Sequence, residues 1–284
     1  MTRVAVVTDS SADLPPTIAA SAGITVIPAV FSLGAYDIHG REPSLASGPE
    51  RREPREFPGG EPAQAAIDAF ADAFAQLAKT HDQIVAVLLS SRLGSSVAAA
   101  LRASERMANA LPIEVVDSRS ASLGLGFQVI RAAELAGMAL NAPAIAATLR
   151  AAVDRYHVVF SVESVEYLRQ SGQIGRSAAM IAEALQIKPL VRIDEGQIVP
   201  YERARTRTRV IAELADFVRE ISEIERCAVL YATNRHDANR LIRTVAADTG
   251  LSPERLTLNQ IGTLVAAQLG PGALGVAVVA SDVR

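Results

Sequence analysis

The sequence predicts an α/β protein, and three observations carry that prediction. Short runs of β-branched and aliphatic residues alternate with alanine- and leucine-rich stretches of helical period along the whole chain. Hydrophobic residues make up 49% of the 284 positions but aromatics only 4%, so the core must be built from Ala, Val, Leu and Ile. In the first half strand and helix alternate closely, which favours a mostly parallel sheet flanked by helices. The length suggests two domains or one large one, and the boundary is placed between residues 1–156 and 157–284.

Val4 to Thr8 is apolar and β-branched, hence a strand, and Asp9-Ser10-Ser11-Ala12-Asp13-Leu14-Pro15-Pro16 turns it into a helix. Ile24 to Phe31 reads as a second strand. Gly40 to Pro62 holds five prolines and several charges and reads as a long surface loop of the kind that often serves as a lid. Ala63 to Leu77 is helical, with Ile67, Phe70, Phe74 and Leu77 on one stripe. Ile84 to Leu89 is an uncharged apolar run and reads as a buried strand, followed by a helix from Val97 to Leu111. Ile113 to Val116 is a strand ending in Asp117-Ser118-Arg119-Ser120, and helices follow over Ala121–Ala139 and Pro143–Tyr156.

A strand through Val158-Val159-Phe160 opens the second half. Short helices are expected at Ser164–Arg169 and Ala178–Leu185. Leu190–Ile193 and Gln197–Tyr201 form a hairpin that turns at Glu195-Gly196. Then come a helix over Arg207–Ile221, a strand over Ala228–Ala232, a helix over Asp237–Thr249, a helix around Ile261–Leu269, the Gly270-Pro271-Gly272 turn and a strand over Val276–Ala280. Leu256 to Ser281 is uncharged, but its polar residues and the Gly-Pro-Gly break fit helix, turn and strand better than a bilayer span.

Composition narrows the function classes. A net charge of −3 disfavours a nucleic-acid binder. The single cysteine, Cys227, rules out an internal disulfide and lies in an apolar run, as a buried structural thiol would. The N-terminal apolar run is too short for a signal peptide, so a cytoplasmic protein is expected. The four histidines show no metal-ligand spacing, no phosphate-binding P-loop or nucleophile elbow is present, and Gly124-Leu125-Gly126 lacks a dinucleotide fingerprint. No metal or cofactor is expected. Asp9 could act as an aspartyl nucleophile, but Ser11 stands where a second acid is usual.

The most suggestive stretch is Leu88-Leu89-Ser90-Ser91-Arg92-Leu93-Gly94-Ser95-Ser96, a hydroxyl-rich turn between strand and helix. Ser95 or Ser96 can cap the helix, and free N–H groups at a helix start favour an anion. A capped helix with no ligand is the simpler reading. Asp9-Ser10-Ser11, Ser90-Ser91 and Asp117-Ser118 are three strand ends of like chemistry, and on adjacent parallel strands they would meet in one crevice. Arg203, Arg205, Arg207 and Arg209 recur at period two and would share a face if extended, as anion binding needs; a solvated entry to a helix is the alternative.

Six stretches together resemble the DegV family of bacterial fatty-acid-binding proteins, over nearly the whole chain. They are Thr8-Asp9-Ser10-Ser11-Ala12-Asp13-Leu14, Leu89-Ser90-Ser91-Arg92-Leu93, and Val116 to Gly126. The others are Glu166 to Gly175, Ile187-Lys188-Pro189-Leu190, and Gly270 to Gly275. The resemblance implies two α/β domains with one long-chain fatty acid, palmitate- or oleate-like, at their junction. Its tail would be buried in the first domain near Gly124 and Gly126. It further implies a carrier without catalytic residues that presents the carboxylate to a separate fatty-acid kinase, with Arg205 matching an arginine associated with phosphotransfer.

The chain departs from the family pattern at the head-group positions. Phe57 to Ala63 has no hydroxyl where the family has a carboxylate-binding threonine, Gly94 stands at the carboxylate-binding serine, and Gln268 replaces a histidine. The expected ligand-binding set is Asp9, Ser10, Ser91, Gly94, Ser95, Ser96, Gly124, Gly126 and Gln268, with the carboxylate held by Ser95 or Ser96, helix N–H groups and Gln268. The alternatives are a related scaffold for a different small or lipidic ligand without kinase coupling and, further off, an acyl hydrolase using Ser95.

Overall fold

The computed structural model describes residues 2–33, 36–39, 62–107, 110–164, 167–168 and 187–282. The expected loop over 40–61, the helix over 178–185 and most of the helix over 164–169 lie outside these residues, as do Glu166 and 169–175 of the fourth family stretch. Two sheets organise the chain. The first is four-stranded and wholly parallel, in the order β2 (Ile24–Ile27), β1 (Val4–Asp9), β5 (Gln83–Leu88), β6 (Ile113–Asp117). The second is six-stranded and mixed, in the order β11 (Leu256–Gln260), β10 (Ile224–Tyr231), β12 (Leu274–Ala280), β7 (Tyr156–Ser161), β8 (Lys188–Asp194), β9 (Gln197–Ala204). A hairpin of β3 (Val30–Leu33) and β4 (Tyr36–His39) stands apart. The α/β prediction, with its parallel first sheet, is correct.

Both faces of the parallel sheet are covered, which is why its central strand β5 is apolar without alternation. Ile84, Ala86 and Leu88 pack with α2 (Gln64–Leu77) and α3 (Ser96–Arg106). Val85, Val87 and Leu89 face α4 (Ser122–Gly137) and α5 (Ala142–Ala151). The mixed sheet presents Val159 and Val229 to α6 (Arg207–Glu220) and α7 (Arg235–Thr249), while Val158 and Phe160 turn to α4. Helix α4 therefore lies between the two sheets: Leu125, Val129 and Ala132 bury against the first, Leu123 and Phe127 against the second. The ion pair between Arg226 on β10 and Glu134 also ties α4 to the second sheet.

Caps and turns follow local chemistry. Thr206 and Asn234 accept from the N–H groups of Arg209 (3.2 Å) and Asp237 (3.1 Å) at the starts of α6 and α7, and Gly250, at φ 65°, ends α7. Glu195 and Gly196 have φ of 45° and 79°, the paired positive values of a two-residue hairpin turn.

Strand β4 was not read from the sequence, and four further elements depart from that reading. The strand expected over Ile24–Phe31 is two: β2 pairs with β1 only to Ile27, and after Pro28 the Ala29 N–H donates to Ser10 Oγ (3.0 Å), which turns the chain out of the sheet. Helix α3 stops at Arg106, short of Leu111. Residues 153–156 are a single 3₁₀ turn and the first residue of β7, not a helical end. Strand β11 escaped the sequence reading because Leu256 and Leu258 are its only apolar residues; α7 carries it across to lie parallel to β10. Cys227 is buried as expected, and burial pushes its thiol pKa up to about 12. Among the described residues no helix is long and apolar enough to cross a membrane.

Candidate functional site

The strand ends of β1, β5 and β6 are neighbours, as their common chemistry suggested, but their polar groups bond chiefly to one another. Asp9 is wholly buried and clamps two strands: Oδ1 accepts from the N–H (2.9 Å) and the hydroxyl of Ser11, and Oδ2 accepts from Leu89 N–H (3.1 Å). Asp117 does the same for β5 and β6, accepting from Ser91 Oγ (2.5 Å) and from the N–H groups of Ser91 (3.3 Å) and Arg119 (2.9 Å). Neither Asp9 as a nucleophile nor Ser91 as a ligand contact fits this arrangement. Ser10 spends its oxygen on Ala29, and Ser90 donates to the Gly196 carbonyl (2.7 Å) at the tip of the β8–β9 hairpin, latching that hairpin onto the first sheet.

Beneath the latch, between the two sheets, lies a small, narrow, apolar cleft. Leu89, Leu93 and Ala121 form the wall on the parallel-sheet side. Phe160, Val191, Ile193 and Ile198 from β7, β8 and β9 form the other. Helix α8 (Thr263–Leu269) closes it with Val265, Gln268 and Leu269, and Ser11 completes the lining. Arg192 lines it through its backbone: Val191 and Ile193 point inward, so by strand alternation the Arg192 side chain faces the other way, where it pairs with Asp194 (3.1 Å). Ser11 and Gln268 thus supply the polar side chains of the cleft among the described residues.

Gln268 is buried, and its amide makes no hydrogen bond among the described residues, so both its donor and its acceptor are open to a ligand. Gly94, Ser95 and Ser96 do not line the cleft, and Ser95, at the N-cap position of α3, makes no capping hydrogen bond through its side chain. Gly124 and Gly126 do not line this cleft. They are packing contacts: a Cβ on Gly124 would run into Val158 and Ser120 Oγ, and one on Gly126 would lie 2.7 Å from the Ala12 carbonyl. The arginine run does not share a face, because Thr206 breaks strand from helix. Arg207 is drawn into an ion pair with Asp237 (2.6 Å) and a bond to the Gly272 carbonyl (2.9 Å), whereas Arg205 is exposed.

A second buried carboxylate sits beside the cleft. Asp13 Oδ2 accepts from Ser122 Oγ (2.6 Å) and Oδ1 from Gly262 N–H (3.0 Å), so it ties the β1 turn to α4 and to the start of α8. Asn259 Nδ2 donates to its carbonyl (2.9 Å). Burial raises the Asp13 pKa to about 7; the bonds from Ser122 and Gly262 lower it, and the charge on Asp9 raises it further. A carboxyl with a raised folded pKa binds its proton more tightly folded than unfolded. Its contribution to stability is full below pH 3.8 and is lost as the pH rises through about 7. Urea midpoints of the Asp13→Asn variant relative to the parent are therefore expected to rise between pH 4 and pH 8, by a shift worth about 1.4 kcal/mol per pK unit at most.

A family model described as "Uncharacterised protein, DegV family" matches residues 3–281. The chain belongs to the DegV family. Among DegV relatives, a DegV domain-containing protein of Streptomyces coelicolor is 32% identical over 296 residues, covering 97% of this chain and 98% of that protein. One of Deinococcus radiodurans is 30% identical over 285 residues, covering 96% and 97%. A solved structure described as "Fatty Acid Binding of a DegV family Protein from Thermus thermophilus" superposes with a TM-score of 0.83 at 26% identity, covering 99% of this chain and 100% of the other. The six motif stretches identify the DegV family correctly. Ser11 and Leu93 lie in stretches the sequence pointed to but were not among the expected ligand contacts, and the hairpin residues Val191, Ile193 and Ile198 were not expected there at all; for the hairpin only its apolar alternation could have signalled an inward face.

Proposed function

We propose that this DegV protein binds one long-chain fatty acid of the palmitate or oleate type, with the acyl tail in the cleft between an N-terminal unit of residues 1–156 and a C-terminal unit of 157–284. The carrying observation is the cleft itself, lined by apolar side chains from both sheets. Each methylene buried there is worth about 0.8 kcal/mol, so chain length rather than head-group contacts supplies most of the affinity. Gln268 is the head-group contact, in place of the family's histidine. The protein acts in the cytoplasm as a carrier without chemistry of its own and presents the head group to a separate fatty-acid kinase, with Arg205 on the presenting surface. The fatty-acid binding described for the Thermus thermophilus relative supports the ligand class.

Native mass spectrometry of the purified protein, followed by lipid extraction, is expected to show one acyl chain per molecule. The reading fails if no chain co-purifies and neither palmitate nor oleate is taken up. Gln268→Ala is expected to weaken palmitate about tenfold, the value of one buried hydrogen bond, at an unchanged melting temperature.

A further inference from the structure

We propose that the outer half of the β8–β9 hairpin is a flap through which the ligand enters and leaves, and that Ser90 is its latch. The inference rests on the reading that an acyl chain fills the cleft. Strands β8 and β9 pair with each other along the whole hairpin, up to Asp194 and Gln197 at the turn. Strand β8 pairs with β7 only over Leu190, Val191 and Arg192, opposite Ser161, Phe160 and Val159. Strand β7 continues to Tyr156, but from Ile193 onward the hairpin has parted from it, and β9 is the edge strand of the sheet. Residues 193–199 are therefore a two-stranded ribbon that leans across to the first sheet. Such a ribbon is marginally stable by itself and depends on what holds it down.

Two features hold it. Ile193 and Ile198, paired on its inner face, pack against the core clusters on both sides of the cleft and form part of the cleft wall. Gly196, buried at the tip, accepts from Ser90 Oγ through its carbonyl (2.7 Å). The seat is close, since a Cβ on Gly196 would lie 2.4 Å from Ser90 Oγ and 3.4 Å from Arg119 Cα. Arg192, Asp194 and Gln197 on the outer face are exposed. Among the described residues, lifting the ribbon thus costs one side-chain hydrogen bond and the packing of two isoleucines, with no sheet ladder broken, and it opens the cleft from the side. Ser90 does not line the cleft, so its loss frees the flap without removing a ligand contact.

The test follows cis-parinaric acid entering and leaving the whole protein by stopped-flow fluorescence, with excess palmitate to chase it out. In Ser90→Ala both rate constants are expected to rise about tenfold, the value of one buried hydrogen bond, while Kd stays within about threefold. Loss of a ligand contact would instead raise the off-rate alone and weaken Kd. That result, or unchanged rates, overturns the inference while leaving acyl binding intact. If the parent takes up neither parinarate nor palmitate, acyl binding itself falls and the inference with it. A second variant, Ser90→Cys with Gly196→Cys, brings two Cβ atoms within disulfide reach and locks the flap. Oxidation is expected to slow exchange about tenfold or more and dithiothreitol to restore it, as for a lid that gates release. Should Ser90→Ala not fold, this pair decides, and exchange that is as fast oxidised as reduced overturns the inference.

Discussion

Gly124→Val is expected to destabilise the protein by about 3 kcal/mol, the upper end of what overpacking a tight interior costs. Gly124 faces β7 from the first turn of α4, and Val158 opposite it is buried and stiff at χ1. The added side chain cannot be accommodated by rotating a flexible neighbour, so α4 must lift away from one of the two sheets it joins. Helix propensity offsets only a fraction of this, because valine is a better helix former than glycine by roughly a few tenths of a kcal/mol. Urea denaturation followed by circular dichroism measures the change. A loss below about 0.5 kcal/mol, the scale of a surface substitution, would show that the seam between the sheets can dilate.

Asp9→Ala is expected to cost about 3 to 5 kcal/mol. It strands three donors at once: the Ser11 N–H, the Ser11 hydroxyl and the Leu89 N–H. Each buried donor left without a partner costs roughly 1 to 3 kcal/mol, and water entering the small space left behind recovers part of the sum. Asp9→Asn retains one acceptor oxygen and is expected to lose less than half as much. Equal losses in the two variants would mean that volume rather than hydrogen bonding explains the role of Asp9. Both measurements are chemical denaturation at pH 7.

How far the site was legible follows from the same residues. The three strand ends were recognisable as neighbours because Asp and Ser recur after each apolar run, and parallel strands place such ends side by side. Their use was not recognisable. A serine hydroxyl bonded to Asp9 and one free to meet a ligand are the same letter in the chain, and only the position of the carboxylate separates them. Gly124 and Gly126 show the same limit: absence of a side chain suits a tunnel or a close helix approach equally well, and here α4 approaches closely.

The amino-acid order by itself determined the α/β class, the parallel first sheet, the Glu195-Gly196 turn and the DegV membership, because period, turn residues and short motifs are local properties of a chain. Only the tertiary structure decided where the cleft lies and what faces it. Its walls come from positions as distant as Ser11, Leu93, Ile198 and Gln268, and their meeting depends on α4 seating between two sheets and on the hairpin latch from Ser90 to Gly196. Those are long-range packing outcomes, set by which faces bury together rather than by any pattern along the sequence.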